Sequence, residues 1–117
     1  MIKVQFITDK PGGSIILKLK GHAGYAEEGK DIVCAGATIL AYTVAQTAKF
    51  MYEEKALRKK PTIRLDPGDA EVVMKPKKAY YAEALHTYFV AQVGYSLLAH
   101  NYPQYVEVKS FGESESS

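Results

Sequence analysis

Twice along this chain a strand–turn–strand pattern is followed by a long helical period, and that succession is the strongest constraint on its fold. Over residues 2–8, Ile2, Val4 and Phe6 alternate with Lys3 and Gln5, the period of a half-buried strand. Asp9-Lys10-Pro11-Gly12-Gly13 is a turn, because proline presets φ and glycine admits positive φ. Residues 14–20 alternate again, with Ile15, Leu17 and Leu19 on one face and Lys18 and Lys20 on the other, which predicts an antiparallel hairpin. A loop with three glycines, expected to be mobile, spans residues 21–30. Asp31 then reads as an N-cap, and Val33, Ala37, Leu40, Val44, Ala48 and Met51 recur at helical spacing, predicting a helix from about residue 32 to the mid-fifties. The pattern repeats as a strand over Thr62–Leu65, a turn at Asp66-Pro67-Gly68-Asp69, a partner strand over Ala70–Lys75 and a helix over roughly residues 78–99. Pro103 breaks the chain, and Tyr105–Lys109 closes it as a strand with Val106 and Val108 inward. The order β-β-α-β-β-α-β defines an α+β domain over residues 1–109, with two helices packed on a largely antiparallel sheet. No internal sequence repeat accompanies the repeated pattern.

Composition narrows the function classes. A chain of 117 residues that is 47% hydrophobic and 24% charged is a single folded domain, not a disordered one. No apolar run reaches the roughly 18 residues needed to span a bilayer, and the first residues lack a signal-peptide core, so the expected location is the cytoplasm. A net charge of +2 is too small to argue for nucleic acid. The cluster Lys55, Arg58, Lys59, Lys60 and Arg64 lacks interleaved aromatics and reads as a solvated helix end. Residues 110–117, acidic and serine-rich, read as a disordered tail. The one cysteine, Cys34, excludes an internal disulfide and a CxxC knuckle, and no ligand cluster predicts a metal or other cofactor. The second helix is apolar around much of its circumference, with Tyr80, Tyr81, Tyr88, Phe89 and Tyr95 among its residues. Either it is a central core helix or part of it meets a second subunit.

The residues that carry chemistry lie around the start of the first helix. With Asp31 as the cap, Cys34 falls in the first turn, where unpaired N–H groups and the positive end of the helix dipole stabilise a thiolate and are available to a developing oxyanion. His22, twelve residues earlier, leaves the second strand through Gly21 and can be folded back by the glycine loop. A thiolate with an imidazole in reach is the minimal apparatus for acyl transfer. The alternative from spacing alone is a small buried hydrophobe at Cys34 and a simple helix cap at Asp31. His86 and His100 receive no catalytic role.

Gly21-His22-Ala23, followed by Gly29-Lys30-Asp31-Ile32-Val33-Cys34-Ala35, resembles the signature of the ribosomal-processing cysteine protease family Prp: a G-H-A element, a short glycine-containing loop, and G-x-D-I-V-C-A opening a helix. Length, element order and the closing strand after Tyr102-Pro103 fit as well, so the resemblance spans all but the acidic tail. It implies a small homodimeric endopeptidase that removes a short N-terminal extension from a large-subunit ribosomal protein, or, in phage-associated relatives, trims a capsid or scaffold protein with a similar N-terminus. It further implies Cys34 as nucleophile, His22 as general base and acid, and Asp31 as an orienting residue. Gly21, Ala23, Gly29 and Thr38 fall to the substrate side. Where the family carries Cys-Ala-Ala/Ser-Val-Ser, this chain reads Cys34-Ala35-Gly36-Ala37-Thr38; Thr38 keeps a hydroxyl one turn on, and Gly36 is expected to leave room for a substrate backbone. Apolar substrate side chains are expected beside Tyr25 and Tyr42 once the loop at 23–30 closes. Two other functions stay open: a non-catalytic dimeric binding module that recognises the same ribosomal or capsid N-terminus, and an RNA- or ribosome-associated factor using the basic segment from Lys55 to Lys78.

Overall fold

The alternation of the first twenty residues becomes a hairpin. In a computed structural model describing residues 1–10, 12–27 and 29–111, β1 (Ile2–Thr8) and β2 (Ile15–Lys20) pair antiparallel, with Val4 opposite Leu19 and Phe6 opposite Leu17. Side chains of successive strand residues point to opposite faces. Ile2, Val4, Phe6, Ile15, Leu17 and Leu19 therefore share one face, where all are buried, and the lysines take the other.

A second hairpin, β3 (Thr62–Asp66) and β4 (Asp69–Met74), adds to the free edge of β2, and β5 (Val106–Lys109) adds parallel to β1. The sheet order is β3-β4-β2-β1-β5. The expected β-β-α-β-β-α-β order is thus the observed one, and the sheet is mixed, with three antiparallel pairings and a parallel one.

Both helices, α1 (Ile32–Glu53) and α2 (Tyr81–Asn101), pack on the apolar face. The inward stripe of α1 is mostly small (Val33, Ala37, Ala41, Val44, Ala45, Ala48, Met51), so the helix lies close to the sheet. The buried stripe of α2 is Ala84, Tyr88, Ala91 and Tyr95. Each buried tyrosine finds a carbonyl for its hydroxyl: Tyr88 donates to Val72 at 3.0 Å and Tyr95 to Ala37 at 2.8 Å. Burial pushes both phenols well above their ordinary range. No side chain caps α2, and a tight 3-10 turn, Lys78–Tyr80, leads into it instead.

One expectation changes, and one of the two readings of the second helix falls away. Gly36 does not open toward a substrate: it faces α2 at the helix crossing, where a Cβ would stand 3.4 Å from Leu98 Cδ1. Phe89, Val93 and Leu97 lie 46–59% exposed along α2, so α2 is not the helix buried all round that a central core position requires. Phe111, beyond the expected domain limit at residue 109, packs on Phe6 with ring centroids 5.4 Å apart, and its N–H donates to Gln92. Pro11 of the first turn, Glu28 of the loop and residues 112–117 of the expected tail lie outside the described residues. Among the described residues, no helix is long and apolar enough to cross a membrane.

Candidate active site

Asp31 caps α1 with one oxygen and holds the preceding loop with the other. Its Oδ1 accepts from the N–H groups of Val33 (3.0 Å) and Cys34 (2.9 Å), and its Oδ2 from those of Tyr25 (3.0 Å) and Ala26 (3.3 Å). Burial of this carboxyl works to raise its pKa, but the N–H donors of Cys34, Ala26 and Tyr25 outweigh that and hold it below its ordinary range. The Ala35 N–H is taken by the Asp31 carbonyl at 3.0 Å. This corrects one expectation: the amides of Val33, Cys34 and Ala35 are committed to Asp31, so they are not donors for an oxyanion.

The loop brings its own donor to the sulfur instead. The Ala23 N–H points at Cys34 Sγ, 3.4 Å away, while the Ala23 methyl is buried. Gly21 makes the necessary bend, with φ at +93° and no space for a Cβ beside the Met1 carbonyl oxygen. Its N–H donates to the Gly68 carbonyl at 2.9 Å, tying the exit of β2 to the β3–β4 turn.

His22 and Cys34 line one open groove of about 730 Å³, running between the first turns of α1 and the β3–β4 hairpin. Of the other residues singled out from the sequence, Gly21, Gly29, Asp31, Thr38 and Tyr42 also line it. Much of the remaining surface is apolar, including Leu19, Ile39, Ala41, Leu65 and Ala70. Tyr25 is elsewhere: its ring meets Tyr102 and Tyr105 edge-on at 5.5 and 5.2 Å, anchoring the loop to the segment before β5. His86 stacks on Phe89 at 6.2 Å, and His100 is exposed in the last turn of α2.

The sequence reading missed the β3–β4 turn as a wall of the groove. Asp66, Pro67, Gly68 and Asp69 all line it, yet Asp-Pro-Gly-Asp signals a turn and nothing more. Only the β2–β4 pairing, with Lys20 opposite Asp69, brings it beside His22. Asp69 binds Arg64 and, at 2.6 Å, Lys20. The hydrogen bond from Arg64, then that from Lys20, holds the Asp69 carboxyl at about 2, against an ordinary 3.8. Among the described residues, no group of three or more His, Cys, Asp or Glu could hold a metal ion.

A Cys and a His lining one groove, with a backbone donor aimed at the sulfur, form an arrangement suited to acyl transfer. Residues 1–107 match the family described as cysteine protease Prp. The chain belongs to the Prp family. It is accordingly a cysteine protease. Solved structures share the Prp fold over nearly the whole chain. The ribosomal processing protease Prp from S. aureus, in complex with a covalently linked product peptide, is 22% identical with a TM-score of 0.68, covering 94% of this chain and 99% of that one. SMU.848 from Streptococcus mutans is 24% identical with a TM-score of 0.65, covering 95% and 94%. The S. aureus Prp with a substrate peptide is 21% identical with a TM-score of 0.62, covering 94% and 99%. No curated protein matches the sequence.

Proposed function

We propose that this protein is a processing endopeptidase that removes a short N-terminal extension from a large-subunit ribosomal protein, with Cys34 as nucleophile and His22 as general base and acid. The observation that carries the reading is the Ala23 N–H aimed at Cys34 Sγ, with His22 the preceding residue of the chain and a wall of the same groove. The two S. aureus Prp structures, described as those of a ribosomal processing protease holding product and substrate peptides, supply the substrate class.

Chemically, the Cys34 thiolate attacks the scissile carbonyl, and the tetrahedral intermediate collapses to a thioester. The departing amine takes its proton from the His22 imidazolium. The imidazole, now neutral, takes a proton from water, whose hydroxyl adds to the thioester; collapse expels the thiolate and frees the carboxylic acid, which ionises by giving its proton to solvent. Asp31 positions the dyad by fixing both the helix start and the loop that carries Ala23. The apolar groove surface around Ile39, Tyr42 and Leu65 takes apolar side chains of an extended peptide. The enzyme works in the cytoplasm as a homodimer, and the exposed row of Phe89, Val93 and Leu97 supports the dimer.

The test is cleavage of a ribosomal precursor bearing its N-terminal extension, followed by mass spectrometry, beside a phage capsid precursor with a similar N-terminus. The wild type cuts the ribosomal precursor at one defined bond, Cys34→Ala leaves it intact, and His22→Ala slows the cut by about 10²–10⁴-fold. Cutting of the phage precursor alone would replace the ribosomal substrate with the capsid one. Unchanged cleavage by Cys34→Ala would overturn the nucleophile.

A further inference from the structure

The imidazole of His22 rests on a residue that has no side chain. A Cβ placed at Gly68 would stand 2.5 Å from His22 Nε2, 2.9 Å from Cε1 and 3.1 Å from Cδ2. The space a methyl would fill is therefore taken by the ring. The same residue has φ at +70°, and its carbonyl accepts the N–H of Gly21, directly before His22. The turn is itself braced, because Asp69 binds Lys20 of β2 and Arg64 of β3. Asp31 and Asp69, which share the groove, are engaged by backbone N–H groups and by these cations, and Asp66 lies on the groove's exposed rim.

We infer that Gly68 is a positioning residue for the reaction: the braced β3–β4 turn is the seat of the His22 imidazole, and the absence of a side chain at Gly68 sets where the base stands. The inference rests on His22 being the base, and it adds that the base is placed by a turn more than forty residues away in sequence. Any Cβ at position 68 forces the ring to move by about 1 Å, a displacement that costs on the order of 10²-fold in rate when it falls on a reacting group.

Cys34 is the only cysteine, so alkylation by iodoacetamide reports on the pair without a substrate. The variants are Gly68→Ala and Gly68→Asn, the second because asparagine tolerates positive φ and so keeps the turn. The matched controls are Gly12→Ala and Gly12→Asn in the β1–β2 turn, where φ is +74° and a Cβ meets nothing within 4 Å. Thermal melting establishes that each variant is folded. In both Gly68 variants the pH profile of Cys34 alkylation moves toward higher pH, in the direction given by His22→Ala. Precursor cleavage falls by about 10²-fold in kcat, with KM little changed. The Gly12 variants match the wild type in both. If His22→Ala moves the profile and folded Gly68→Asn does not, the seat is refuted and the dyad stands. If His22→Ala leaves both profile and cleavage unchanged, the dyad fails and the seat with it.

Discussion

Asp31 satisfies four backbone N–H groups with one carboxylate, two from the loop and two from the helix it begins. Asp31→Ala orphans all four, and the loss of the cap alone is worth roughly 1–2 kcal/mol. The unfolding midpoint in urea falls accordingly, and the amides of Tyr25 and Ala26 lose their protection from hydrogen exchange. Asp31→Asn, with one acceptor oxygen and a donor in place of the other, falls between the two. Acid acts on the same bonds. Asp31 and Asp69 both titrate below their ordinary 3.8 in the folded chain. Each therefore contributes stability that is complete above 3.8 and lost as pH falls through the folded value, which for Asp69 is about 2. Urea midpoints measured from about pH 5 down to about pH 2 fall less steeply in Asp31→Asn and Asp69→Asn than in the wild type.

At the scale of the elements, α1 and α2 approach through glycines whose neighbours differ. A Cβ at Gly36 meets Leu98 at ordinary contact distance, 3.4 Å, whereas one at Gly94 presses on Leu40 at 2.9 Å. Replacing a helical glycine with alanine gains up to about 1 kcal/mol of propensity, and overpacking offsets it by a similar amount or more. Gly36→Ala should raise the melting temperature, and Gly94→Ala should leave it unchanged or lower it. The elements themselves were legible because each carries its signal locally: the alternation of Ile2 to Phe6 and of Ile15 to Leu19, and the cap at Asp31. The place of Cys34 in the first turn of α1 followed from that cap. The fate of the first-turn amides did not, because whether Asp31 takes them or leaves them depends on its rotamer. Tyr25 went astray for a similar reason. Its partners, Tyr102 and Tyr105, lie far along the chain, and no spacing links a loop residue to them. Gly68 was hidden most completely, since a turn glycine looks the same whether it faces solvent or an imidazole.

The molecule as a whole presents an apolar row along α2, and Val93 and Leu97 stand at helical spacing within it, 46% and 59% exposed. If that row is the dimer contact, sedimentation of the wild type gives a dimer. Val93→Glu combined with Leu97→Glu gives a folded monomer, because like charges brought together on an apolar surface oppose association. The parallel pairing of β1 with β5 has a consequence for how the chain reaches this state. Ile2 is matched to Val106, so the first strand waits for the last, and a pairing so distant in sequence forms slowly. Until then the outer edge of β1 carries unpaired backbone groups that any extended segment can join. A nascent chain therefore emerges with its opening strand half-finished, and translation stalled ahead of the final strand leaves a product inclined to stick to its neighbours.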